Sequence, residues 1–193
     1  MFARHKIDFC CRGGRPLAEA AEQARVAVPQ IVEEIALLVR EPDAIDWTTQ
    51  PTAALIEHIL VTHHRPLDEE LPRLAGLAQK VARVHGGPMN EAVLGLYQAL
   101  VDDLLPHMQK EERILFPMML AGHPHASAPI RVMLAEHDDV GRILHDLRAV
   151  TDDYALPPEA CGSWRALWSG LAALEADLHV HIHLENNLLF PRW

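Results

Sequence analysis

The sequence predicts an all-α protein: an up-down-up-down four-helix bundle preceded by a small N-terminal helical domain. Three observations predict it. Strand-like alternation is almost absent along the 193 residues. Four long amphipathic stretches follow one another, separated by short breaks rich in Gly and Pro. Apolar residues make up 49% of the chain, enough to fill the core of one bundle.

In chain order, two short helices fit 16–27 and 29–40, and Glu41-Pro42-Asp43 to Pro51 reads as a linker. The expected division is a small Cys-Cys domain over 1–48 and the bundle over 49–193. The long stretches run over about 52–85, 88–120, 128–152 and 159–190. His85-Gly86-Gly87-Pro88 ends the first and starts the second. Gly122 to Pro129 separates the second and third, with Ser127 as the expected N-cap. Leu156-Pro157-Pro158-Glu159 separates the third and fourth. Breaks this short make consecutive helices antiparallel neighbours. Pro66 and Pro72 each remove a backbone donor inside the first long stretch. The apolar stripe continues through Leu60, Leu67, Leu71, Leu74 and Ala78, so a bend is expected there and not a break.

Charge and composition exclude several classes of function. A formal charge of −10 argues against nucleic acid and anionic membranes as partners. No apolar run approaches the roughly 20 residues that cross a bilayer. The segment from Met1 to Arg15 carries Arg4, His5, Lys6 and Asp8 and lacks a signal-peptide apolar stretch, so a cytoplasmic location is expected. Three cysteines cannot build a disulfide framework. Cys10 and Cys11 are adjacent and suit either metal or redox chemistry or an inert thiol pair; Cys161 stands alone and reads as structural. An N-terminal domain this small has little core of its own, which favours a homodimer.

The chemistry sits in an internal repeat. Residues 107–117 read HMQKEERILFP and residues 181–191 read HIHLENNLLFP, both fitting H-x-x-x-E-x-x-[IL]-L-F-P. Positions i and i+4 share a helix face, so His107 with Glu111, and His181 with Glu185, can each aim a nitrogen and a carboxylate at one point. Both pairs precede the same apolar Leu-Phe-Pro run, which turns that face inward. Buried His/Glu pairs are costly unless compensated, and metal ions compensate them. The third helix offers His137 and the first offers His63 or His64. His137 lies 44 residues before His181; His64 lies 43 before His107 and His63 lies 44, so spacing leaves those two open.

Four imidazoles and two carboxylates without thiolates suit iron or manganese better than structural zinc. With Glu111 and Glu185 bridging and an oxo or hydroxo bridge added, each metal keeps an open position for O2 or NO. Glu136 is expected near the metals or on an access path. His58, His179 and His183 fall on flanks, and His5, His85, His123, His125 and His145 read as surface or loop residues. Trp47, Trp164, Trp168 and Trp193 read as packing residues.

Several segments resemble the haemerythrin-like cation-binding domains, and among them the repair-of-iron-centres family. They are Asp8-Phe9-Cys10-Cys11-Arg12-Gly13-Gly14, Glu57-His58-Ile59-Leu60, His107 to Pro117, Glu136-His137-Asp138, Pro157-Pro158-Glu159-Ala160-Cys161 and Leu184-Glu185-Asn186-Asn187. The resemblance implies a haemerythrin-like bundle with two iron ions on His64, His107, Glu111, His137, His181 and Glu185. It is the resemblance that selects His64 over His63. It also implies repair of iron–sulfur clusters damaged by nitrosative or oxidative stress, with damaged cluster proteins as partners. Reduction of NO to N2O at the di-iron site, O2 binding or sensing, and passive metal storage are the competing expectations. Oxygen-carrying haemerythrins have a further His one turn after the third-helix His, where this chain has Gly141, and end on an Asp five residues after a His, where this chain has Glu185 at plus four. The N-terminal domain is shorter than that family's, and Pro66, two residues after His64, departs from its pattern.

Overall fold

A computed structural model describes residues 1–5, 7, 9–10, 15–37 and 45–193. The described residues form helices and connecting turns, with no strand among them. A 3-10 turn (Phe2–His5) and helices α1 (Leu17–Gln23) and α2 (Val28–Leu37) form the N-terminal part. The bundle follows as α3 (Thr52–Ile59), α4 (Arg65–His85), α5 (Gly87–Lys110), α6 (Phe116–Leu120), α7 (Ser127–Val150) and α8 (Gly162–Leu184). α3 and α4 are one helix joined by a π turn, Leu60–His64. α5 and α6 are joined likewise through Glu111–Leu115. α8 continues through a third π turn, Glu185–Leu189, into a 3-10 turn, Phe190–Arg192. Four long helices therefore carry the bundle, α4 packing on α5 and α8, and α5 on α7.

The boundaries differ from the sequence expectation where backbone geometry intervenes. α1 stops at Gln23, short of 27, because Arg25 turns left-handed (φ 56). The amides of Arg25 and Val26 close that end on the carbonyls of Glu22 and Ala21 at 3.0 Å each. Ser127 is the first residue of α7 and not its N-cap; Ala126 holds that position, without a side-chain cap bond. Beyond α7 and its C-cap Thr151, Asp152, Asp153 and Tyr154 all have positive φ (49, 57 and 60). The Thr151 hydroxyl secures this turn, donating to Leu147 O at 2.7 Å and accepting from the Tyr154 amide at 3.1 Å. α8 begins only at Gly162, after the Pro157–Pro158 loop. Pro66 is the second residue of α4, directly after the π turn, and the buried stripe runs on past it through Leu67, Leu71 and Leu74.

The core splits into two apolar layers. One, toward the loop between α4 and α5, gathers Leu67, Leu71, Leu74, Tyr97, Leu100, Leu144, Leu147, Trp168, Leu171 and Leu178. The other, at the opposite end, gathers Leu55, Ile59, Leu115, Phe116, Met119, Met133, Leu189 and Phe190. Between these layers in each helix lie buried polar residues: His63 and His64, His107 and Glu111, His137, His181 and Glu185. The bundle thus encloses a polar stratum sealed by hydrocarbon on both sides. Gly170 lets α8 approach α4 closely, since a Cβ there would fall 2.4 Å from Leu74 Cδ2. A third, small cluster of Ile7, Ala20, Ala21 and Ile31 holds the N-terminal part.

Candidate metal centre

Each bundle helix delivers its buried polar side chains from a defined point. His64 is the last residue of one π turn, while Glu111 and Glu185 are the first residues of the other two. His137 lies inside the uninterrupted α7. A π turn widens the helix by one residue, re-aiming the side chains at its edge, and such turns gather at functional sites. All six residues singled out in the sequence come together here. His64, Glu111, His181 and Glu185 bring ligand-type atoms within 4.8 Å of one another, and so do His107, Glu111, His137 and Glu185. Glu111 and Glu185 belong to both groups.

The atoms are arranged in pairs. His64 Nε2 faces His181 Nε2 at 3.1 Å, and His107 Nε2 faces His137 Nε2 at 3.0 Å. Glu111 sends Oε1 toward His107 at 3.4 Å and Oε2 toward His64 at 3.6 Å. Glu185 sends Oε1 toward His181 at 3.1 Å and Oε2 toward His137 at 3.2 Å. Each glutamate thus spans the two histidine pairs with its two oxygens. Both carboxylates are fully buried, and neither Glu111 oxygen has a hydrogen-bond partner. Four imidazole nitrogens and four carboxylate oxygens aimed at each other in a buried stratum make no sense as a core of their own. Cations between them satisfy every one, so the residues fit a metal-binding site.

The outward ring nitrogens explain how the imidazoles are held. His64 Nδ1 donates to Glu112 Oε1 (3.0 Å), His107 Nδ1 to Glu136 Oε2 (2.8 Å) and His137 Nδ1 to Asn186 Oδ1 (2.7 Å). Such acceptors fix the tautomer that turns Nε2 inward as a lone pair. Glu112 is in turn gripped by Arg65 at 2.7 Å, and Glu136 by Lys110. His181 Nδ1 is buried without a partner. Its ring stacks on His63, with centroids 5.3 Å apart and planes at 9°. His63 is not among the converging atoms; its Nδ1 donates to Asp177 Oδ1 at 2.8 Å. This separates the two histidines that spacing left open.

The electrostatics follow from this placement. Burial disfavours the charged form of His107, but Glu111, Glu185 and Glu136 outweigh it and raise its pKa to about 9. His181 is raised as well, burial being overcome by Glu185 and Glu111. His64 is lowered, by burial and by His181 beside it. Burial opposes the charge on Glu185, yet His181 and His137 hold its carboxyl well below the usual range.

Other histidines lie off the centre. His58 stacks on Trp47 at 4.3 Å and bonds Thr62. His183 contacts the Phe9 carbonyl and Asn187. The Cys10 carbonyl accepts from Asn186 at 3.2 Å, which links the N-terminal part to the residue that holds His137. Cys10 is buried, whereas Cys11 lies outside the described residues. Glu112, Asn186 and Asp177 were missed in the sequence. Glu112 and Asn186 each directly follow a motif glutamate, and that position is the signal that could have found them.

Comparison with known proteins agrees with this geometry. Residues 55–193 match the hemerythrin HHE cation binding domain. Residues 1–39 match the ScdA_N domain of unknown function (DUF542). The chain is similar to the iron-sulfur cluster repair protein YtfE of Cronobacter sakazakii, 43% identical over 195 aligned positions that cover all of this chain and 88% of that protein. The proteins of the same name from Citrobacter koseri and Escherichia coli O81 are each 42% identical, with all of this chain and 89% of theirs covered.

Proposed function

Because the chain belongs to the haemerythrin HHE cation-binding family and follows the YtfE repair proteins along its full length, we propose that it repairs iron–sulfur clusters damaged by nitrosative or oxidative stress, using a non-haem di-iron centre. His64 and His181 would hold one iron, and His107 and His137 the other. Glu111 and Glu185 would each give one oxygen to either metal. Iron held there would supply redox chemistry and a site able to take NO or O2. The rest is the work of the chain. Glu112, Glu136 and Asn186 keep the imidazole lone pairs inward. The two apolar layers keep bulk water from the carboxylates. The partners in this reading are damaged iron–sulfur proteins, met in the cytoplasm. The separate apolar cluster around Ile31 supports dividing the chain into 1–48 and 49–193.

The observation that carries the proposal is the convergence of four imidazoles on two shared, buried carboxylates, three of whose four oxygens have no hydrogen-bond partner. The test is reactivation of an NO-inactivated iron–sulfur enzyme under anaerobic conditions. Iron-loaded protein is expected to restore activity, and metal-free protein is not. A preparation holding two irons per chain that restores nothing removes the repair reading. Formation of N2O beyond a single turnover in the same vessel moves the assignment to NO reduction.

A further inference from the structure

Cys161 lies far from the metal centre. His181 stands 20 positions after it along α8, about 30 Å of helix. The thiol is exposed and precedes the first turn of α8 on extended backbone (φ −76, ψ 172). His85, the last residue of α4, brings Nε2 to 3.2 Å from its Sγ. The His85 ring rests on Trp164 at 4.7 Å. Trp164 is only 3% exposed, and its indole N–H has no acceptor. A nucleophilic sulfur and a base from a second helix therefore meet at the surface, with the base seated on the buried Trp164 ring. The bundle does not need this arrangement, since an exposed thiol contributes little to packing. Arg165 fixes the approach to Cys161 by donating to the Ala160 carbonyl at 3.2 Å.

We propose that Cys161 and His85 form a thiol–disulfide exchange site that accepts low-molecular-weight disulfides, independently of the metal centre. Cys161 passes its proton to His85 and attacks one sulfur of the disulfide. A new S–S bond forms as the old one breaks. The second sulfur leaves with the bonding electron pair and takes the proton back from His85. Cys161 is oxidised to the mixed disulfide while one thiol of the reagent is released, so no other oxidant is required.

The chemistry supports this direction. His85 beside it, and then the amides of Trp164 and Ser163 at the start of α8, lower the Cys161 thiol from 9.0 to about 7. At pH 7 such a thiol is about half ionised, against about three parts in a hundred for an ordinary cysteine at about 8.5, and the accompanying loss of nucleophilicity offsets most of the gain. A net acceleration of about three- to fourfold remains.

The test exposes the iron-loaded protein to glutathione disulfide at pH 7, quenches with acid and follows the Cys161 peptide by mass spectrometry. A synthetic, unfolded peptide covering Pro158 to Trp164 gives the reference rate. Cys161 is expected to form the adduct about three- to fourfold faster than the peptide. His85→Gln, its fold checked by circular dichroism, is expected to bring the rate back toward the peptide's. Cys161→Ser should remove that adduct altogether. Cys161 reacting no faster than the peptide overturns the proposal even if His85→Gln fails to fold. Adducts confined to Cys10 and Cys11, or a folded His85→Gln protein with an unchanged rate, overturn it too.

Discussion

In the half of the centre formed by His107 and His137, both outward nitrogens donate, one to a carboxylate and one to an amide oxygen. In the half formed by His64 and His181, His64 has its carboxylate, but His181 Nδ1 is buried and unmatched. The sequence places the difference: Glu136 precedes His137 and serves His107 across the helices, whereas His63 precedes His64 and only stacks on His181. An imidazole whose outer N–H meets a carboxylate is a better oriented and more basic ligand. Two halves built from matching hairpins are therefore finished unequally. In the proposed di-iron reading, the His64/His181 half is the one expected to surrender its metal first.

The largest expected effect removes what the halves share. Glu111→Ala takes one oxygen from each half and should lower iron content from two per chain toward none, read by elemental analysis after anaerobic loading. Full retention of one iron would mean that the halves are independent. Glu136→Gln, the next largest, strips the well-furnished half of its charged acceptor. Outer partners of this type are worth about 10–100-fold in metal affinity. Wild-type protein should release iron to a ferrous chelator in two phases, and this variant should merge them. Two phases that persist unchanged would sink the assignment of Glu136.

The halves also differ in how they hold protons without metal. His107 has its pKa raised from 6.5 to about 9 in the folded state, so its contribution to stability is complete below 6.5 and is lost as pH rises through about 9. The urea midpoint of the metal-free protein should therefore fall between pH 6.5 and 9.5, while the iron-loaded protein, with that proton already displaced, should not show the fall. Equal pH profiles would break the argument. The smallest effect is expected from His63→Gln, which puts an amide oxygen next to the weak half. Release from that half should slow by about a few-fold if an acceptor is what His181 lacks.

Much of this was legible in the sequence, for physical reasons. The four long helices and their breaks follow from apolar periodicity and from Gly86, Gly122 and the Pro157-Pro158 pair. The repeat around His107 and His181 marked the two helices that each bring a nitrogen and an oxygen inward. Two things were not legible. Periodicity cannot distinguish a five-residue π turn from one more turn of α-helix, and so it could not choose between His63 and His64, both of which are buried. The outer partners come from other helices, and which carboxylate reaches which imidazole is a matter of packing. Glu112 illustrates this: adjacent in sequence to Glu111, it serves His64, 48 residues away.

The three π turns also make these helices sensitive to length. Each residue of an α-helix advances the side-chain direction by about 100°. Deleting one residue from the turn beginning at Glu185 would let regular helix close over the gap. It would also swing Leu189 and Phe190, which sit in the apolar layer with Leu55 and Met133, away from their neighbours. Substitutions in these turns alter one contact at a time, whereas an insertion or deletion of a single codon would set the metal-facing and apolar faces of the same helix against each other.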